Sequence, residues 1–257
     1  MPEVEYTEPD RKDSRNPKVR SLSQSKKKPP ILTFSTFTKC EYDPSDGLGV
    51  DVHVIDTGIN IAHVNDIDID GNRHGTHCAG TIASRKYGVA KHANVIAVKV
   101  LGVNGSGTMT DVIPGVHWAV QAAKLKDESV RAEFVATERT VHKGSVANMS
   151  LQGGKSQSLH VAVGAAVDSR LHFTISAGNV VPPSQSRSIR STHGLHTQRR
   201  PNYPPTASQN AVALGTSTLG DERACLSNHG ECTEVFALGL NILLTYIGSD
   251  GGTLTSS

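Results

Sequence analysis

VDVHVIDTG, residues 50–58, carries a β-branched run of strand length that stops on Asp56, just before a Thr57-Gly58 turn. A strand that ends on a carboxylate is informative in a parallel sheet, because ligands and reacting groups gather outside the carboxyl ends of the strands. Asp56 also suits a plainer task, capping the Thr57-Gly58 turn, and this motif alone does not separate the two readings.

Working outward, residues 95–100 (VIAVKV), 146–151 and 171–177 read as further strands, and the apolar runs 211–215 and 241–246 suggest more. Between the second and third, TDVIPGVHWAVQAAK sets Val112, Ile113, Val116, Ala119, Val120 and Ala123 at helical spacing. Thr110 is the expected N-cap, and Pro114 lies near the start, where a helix tolerates it best. A second helix is expected over 158–169, with Leu159, Ala162, Val163, Ala166 and Val167 inward. Strands alternating with helices predict an α/β fold, a mostly parallel sheet flanked by helices.

The chain of 257 residues suits one such domain. Residues 1–30 are polar, rich in Lys, Ser and Pro, and end in SKKKPP; they predict a disordered arm and leave 31–257 as the domain. Residues 180–201, in a stretch without any apolar period, predict an insertion loop. With 26 Lys+Arg against 24 Asp+Glu the net charge is +2, too balanced for a nucleic-acid or anionic-membrane partner. No run approaches the roughly 18 apolar residues of a membrane span, and MPEVEYTEPDRKDSR lacks the apolar stretch of a signal peptide. Cys40, Cys78, Cys225 and Cys232 neither crowd the chain nor form paired metal spacings; a local Cys225–Cys232 bridge stays open.

RHGTHCAGT, residues 73–81, places His74 at the start of a small-residue stretch able to form a closely packed helix over 75–83. A neutral imidazole oriented by a carboxylate can take a proton from a serine hydroxyl and return it to a leaving amine, and Asp56 is the candidate orienter. The competing reading makes His74, His77 and Cys78, at i, i+3 and i+4, one helical face of metal ligands.

VIDTG, HGTHCAGTIAS, YGVAK, VKVLGVNGSGTM, NMSL, SAGN and LNILLTYIGSD stand in the order found in subtilisin-like serine proteases, and they most resemble the fungal proteinase K and cerevisin branch over residues 32–179 and 202–250. The resemblance implies a subtilisin-like endopeptidase fold with Asp56 and His74 as the aspartate and histidine of the triad, and Asn179 as the oxyanion-hole donor. A turn-forming role for Asn179 is the alternative. It also implies that Gly105, Ser106 and Gly107 on one side, and Ser150, Leu151 and Gly153 on the other, hold an extended substrate by main-chain pairing. Gln152, where the family usually has glycine, puts a side chain beside the specificity pocket.

The chain departs from the pattern in several places. The resemblance expects the nucleophile in a GTSMA-like motif opening a helix after NILLTYIGSD, whereas residues 251–257 read GGTLTSS. The nucleophilic Ser is therefore expected to be absent, with Ser256 and Ser257 poor substitutes, the domain incomplete at the C-terminus and the chain inactive as written. The connection from Asp56 to His74 is short for this branch, which leaves open whether the two residues meet, and Leu238 replaces a usual proline. Alternatives to an endopeptidase are a non-catalytic relic that binds peptides or inhibitors and a His/Cys metal protein. No cofactor is expected: relatives often bind calcium, but Glu234 offers one carboxylate toward a site of six or more oxygens. The expected partners are peptide or protein substrates, the expected state a monomer. Secretion or vacuolar delivery is implied by the family without a signal peptide in this chain.

Overall fold

The computed structural model describes residues 43, 45–60, 70–153, 156–179, 211–229, 233–240, 242–245 and 253–256. The predicted arm over 1–30, the predicted loop over 180–201, and Cys40, Cys232 and Ser257 lie outside them. Strand β1 (Val50–Asp56) is followed by helix α1 (His74–Ala83), β2 (Asn94–Lys99), α2 (Met109–Thr137), β3 (Gly144–Met149), α3 (Gln157–Asp168), β4 (His172–Ser176), β5 (Val212–Ser217) and β6 (Val235–Leu238). The six strands form one sheet in the order β2-β1-β3-β4-β5-β6, and every pairing in it is parallel. A separate antiparallel pair joins β7 (Ile242–Thr245) to β8 (Thr253–Ser256).

Burial on both faces explains why β1 sits inside the sheet. Val52 and Val54 pack with Ala79 on the α1 side, while Ile55 joins the larger cluster built from Val116 and Val120 of α2, Val163 of α3 and Phe173 of β4. Helices thus cover both faces, as an all-parallel sheet requires. The strand order reverses at β1: the chain moves to one side for β2, then crosses back to the other for β3. Such a switch point opens a crevice outside the carboxyl ends of the strands, and Asp56 is the last residue of β1.

The α/β expectation holds, with shifts at the edges of elements. Thr108, not Thr110, caps α2: Asp111 Oδ2 accepts from the Thr108 backbone N–H at 3.1 Å and from its hydroxyl at 2.6 Å. Pro114 therefore lies within the helix instead of at its first turn. The helix also runs on to Thr137, beyond the apolar period that ended at Ala123; KLKDESVRAEFVAT is rich in good helix formers and its side chains are largely exposed. The third strand stops at Met149, which leaves Ser150 and Leu151 outside it, and α3 begins one residue early behind Ser156, whose hydroxyl accepts from Leu159 N–H at 3.2 Å. No sequence signal marks β6 or β8; VFAL and TLTS are too short to stand out from their surroundings.

Candidate active site

His74 is the first residue of α1, and the turn that leads into it is built around Asp70. A helix leaves its first N–H groups without internal partners. Here Arg73, in the N-cap position, has a left-handed backbone (φ 91°) and makes no side-chain cap. The fully buried Asp70 carboxylate takes over, accepting from Arg73 N–H at 2.7 Å, Asn72 N–H at 3.1 Å, Thr76 N–H at 2.9 Å, the Thr76 hydroxyl at 2.7 Å and the Thr57 hydroxyl at 2.8 Å. Burial on its own would raise the Asp70 pKa, but the Thr76, Arg73 and Thr57 hydrogen bonds outweigh it and hold the carboxyl below its ordinary range. Gly75 is needed next to His74 because a Cβ there would lie 2.0 Å from the Gly58 carbonyl oxygen.

This packing brings His74 onto Asp56. His74 Nδ1 stands 2.8 Å from Asp56 Oδ1 and 2.9 Å from Oδ2, so the short connection does not keep the two apart. Asp56 is wholly buried and also accepts from Thr57 N–H at 2.7 Å, whereas the His74 side chain is 46% exposed and opens toward the cleft. The hydrogen bond to Asp56 and then the contact with Cys78 raise the His74 pKa, against the opposing effect of burial. A carboxylate on Nδ1 fixes the tautomer and leaves Nε2 to exchange protons with the cleft.

Cys78 Sγ lies 3.9 Å from His74 Nδ1, and the donor atoms of Asp56, His74 and Cys78 fall within 4.8 Å of one another. The metal face read from helical spacing is corrected in its membership. His77 stacks on His74 with ring centroids 6.5 Å apart, but among the described residues its buried Nε2 has no hydrogen-bond partner and it is not in the group; Asp56 takes its place. Burial, then the neighbouring His74, lower the His77 pKa. Cys78 and Cys225 are free thiols. Glu234 Oε2 accepts from Ala213 N–H at 2.6 Å, which ties this carboxylate to β5.

Two cavities meet at His74. One of about 440 Å³ runs between Gly105, Ser106 and Gly107 on one wall and Ser150, Leu151 and Gly153 on the other, over a floor that includes Met109 and Leu159. The second, of about 460 Å³, places Asn179 in the same space as His74, with Ile242 of β7 also on its border. Gln152 borders both, and its Oε1 accepts from Asn179 N–H at 3.3 Å across the passage between them. Asn179 itself leaves β4 through Gly178 (φ 83°) and bridges to Ser227, while Asn228 Nδ2 donates to the Ala177 carbonyl at 2.9 Å. All the site residues expected from the sequence therefore border this crevice or, in the case of Asp56, lie buried directly behind His74.

Sequence reasoning missed Asp70 and Thr57. The signal for Asp70 was present: an Asp shortly before a helix start is a capping pattern, and asking where the first N–H groups of α1 go would have found it. The Thr57 hydroxyl accepts from Gly75 N–H at 2.9 Å while donating to Asp70, a bridge between distant segments that no local pattern announces.

Known proteins resemble this chain over most or all of its length. The chain is 45% identical over 282 residues to the subtilisin-like serine protease Pen ch 18 of Penicillium rubens, an alignment that takes in 100% of this chain and 51% of that protein. It is 49% identical over 236 residues to the subtilisin-like serine protease pepC of Aspergillus niger (86% and 40%) and 44% identical over 279 residues to alkaline protease 2 of Aspergillus fumigatus (100% and 52%). The chain thus spans about half the length of these curated relatives. A crystal structure of a cold-adapted subtilisin-like serine proteinase superposes with a TM-score of 0.64 at 35% identity, over 83% of this chain and 71% of that one. The subtilase family model matches residues 47–256, and the chain belongs to that family.

Proposed function

We propose that residues 1–257 carry the acid–base and substrate-holding parts of a subtilisin-like serine endopeptidase site, and that this polypeptide alone does not turn peptides over. The observation that carries the reading is the His74 ring held at 2.8 and 2.9 Å by a buried carboxylate at the mouth of a cleft. In the proposed chemistry, neutral His74 takes the proton of a serine hydroxyl at Nε2 as the oxygen attacks the peptide carbonyl, and gives it to the leaving amine. Asp56 holds the ring and stabilises the imidazolium; Asn179 donates to the carbonyl oxygen as charge grows on it. Residues 105–107 and 150–153 pair with the main chain of an extended peptide.

The second half of the proposal concerns the nucleophile. The 257 residues contain no GTSMA-type motif, and Ser256 pairs with Ile242 in the β7–β8 ladder, where it does not open a helix. An acyl-enzyme forms only on a hydroxyl held against His74, and in a subtilisin loss of the serine costs roughly 10⁶ in kcat. What remains is a cleft able to bind peptides or inhibitors. The test is to incubate purified residues 1–257 with a chromogenic peptide and a serine-directed fluorophosphonate, beside a version extended by a GTSMASPH-type helix. We expect labelling and turnover only in the extended protein, and loss of both on His74→Ala. Stoichiometric labelling of Ser256 or Ser257 in the unextended polypeptide, with turnover that depends on His74, would overturn the proposal.

A further inference from the structure

The residues on either side of the dyad converge on one carboxylate that touches neither dyad side chain. Thr57 follows Asp56 in the chain, and Arg73 and Gly75 flank His74. The Thr57 hydroxyl donates to Asp70 Oδ1 at 2.8 Å and accepts from Gly75 N–H at 2.9 Å; Arg73 N–H donates to the same Oδ1 at 2.7 Å. On the other oxygen, Oδ2, Asp70 holds both the N–H and the hydroxyl of Thr76 in the first turn of α1. Three elements are thereby fixed to one another: the end of β1, the turn over residues 70–73 and the first turn of the helix.

We propose that Asp70, acting through Thr57, is a positioning residue that sets His74 against Asp56. It is not catalytic, since its two oxygens are occupied by the five donors named above and none of these is a group of the dyad side chains. Its effect is one of geometry. Arg73 is held in a left-handed conformation that a non-glycine residue adopts at a cost, and the Asp70 hydrogen bonds to Asn72, Arg73 and Thr76 contribute to over-determining that turn. Released from them, Arg73 relaxes and the helix start moves. His74 Nδ1 lies only 2.8 Å from its partner, so a displacement of about 1 Å takes the pair beyond hydrogen-bond length. A neutral amide at position 70 keeps the shape but accepts on one atom only, so donors now satisfied by two oxygens compete for it.

This inference rests on the dyad reading above, and its test reads the Asp56–His74 hydrogen bond directly, without using turnover. In residues 1–257 labelled with ¹⁵N-histidine, the His74 Nδ1–H proton should give a low-field resonance that disappears on Asp56→Asn. We expect Asp70→Asn and Thr57→Val to lose that resonance and Thr57→Ser to keep it, because serine restores the bridging hydroxyl. Val163→Ala, on the buried face of α3 and outside the Asp70 hydrogen-bond set, supplies the control for stability alone: it should lower the denaturation midpoint and leave the resonance in place. Should Asp70→Asn fail to fold, the Thr57→Val and Thr57→Ser pair decides. Persistence of the resonance in Asp70→Asn and Thr57→Val would overturn the role of Asp70, and so would its loss in Val163→Ala. Its absence from the unmodified protein would overturn the dyad reading, and this inference with it.

Discussion

Gly75→Ala sets two effects of opposite sign against each other. In a helix interior alanine is favoured over glycine by about 1 kcal/mol, so propensity alone predicts a more stable protein. The structure predicts the reverse. The new Cβ would stand 2.0 Å from the Gly58 carbonyl oxygen and 3.2 Å from Asp56 Cβ, and the oxygen belongs to backbone that cannot rotate aside. A carbon and a carbonyl oxygen rest at about 3.3 Å, so the first turn of α1 must retreat by about 1.3 Å. Overpacking of this kind costs about 1–3 kcal/mol, which cancels or exceeds the helical gain, and the retreat carries His74 away from Asp56. We expect a stability loss of up to about 2 kcal/mol in urea denaturation, together with loss of the low-field His74 proton. In an extended, active version, a misplacement of about 1 Å should cost about 100-fold in kcat. A variant at least as stable as the parent, with the His74 resonance unchanged, would refute the reasoning.

The remaining predictions concern the core and pH. Phe173→Ala removes a side chain that is 1% exposed in the larger cluster, and should cost about 3–5 kcal/mol by chemical denaturation; a loss under about 1 kcal/mol would mean that this core collapses around the gap. Because the Asp70 pKa is lowered in the folded protein, its contribution is present above the unfolded value near 3.8 and fades as pH falls through the lower folded value. The acid limb of stability against pH should therefore flatten in Asp70→Asn, and an unchanged limb would contradict the assignment. The His74 pKa is raised, so its contribution is complete below the unfolded value near 6.5 and fades as pH rises through the higher folded value. Titration of the His74 ring by NMR should show a midpoint above 6.5 that drops in Asp56→Asn; a midpoint at or below 6.5 in the parent would refute the hydrogen bond as its main cause.

What the sequence disclosed follows from the range of the interactions involved. Strand β1 and its terminal Asp56 were legible because a β-branched run followed by a turn is a local pattern, and the inward residues of α2 and α3 because helical spacing is local too. The extension of α2 to Thr137 was not, since its second half has no apolar face and is helical by propensity alone. Thr110 stands just ahead of the apolar period that opens at Val112, which makes it the local candidate for the cap; the Asp111 carboxylate, by accepting from Thr108, sets the cap two residues earlier. At the site, motif order supplied Asp56, His74 and Asn179, but the separation of Asp56 from His74 depends on how closely Gly75 lets α1 approach Gly58, a three-dimensional fact that loop length does not encode. The hydrogen bond from Asn179 N–H to Gln152 is of the same kind: a glutamine in place of glycine is visible in the sequence, its partner 27 positions away is not.

The parallel order of the sheet also has a consequence for how the chain folds. Asp56 and His74 are joined by 18 residues within one strand-to-helix connection, whereas the β1–β3 ladder, which aligns Asp51 with Ser145, closes a loop of 94. Closure entropy grows with the logarithm of loop length, so the second event costs about 1.5 kcal/mol more before any contact repays it. The dyad is therefore expected to form ahead of the cleft that uses it, with Asn179 and the wall over 150–153 arriving only as β3 and β4 dock. In pulse-labelled hydrogen exchange, amides of α1 should gain protection before those of β3 and β4. A nascent chain would accordingly hold its proton acceptor while it still has nowhere to seat a peptide.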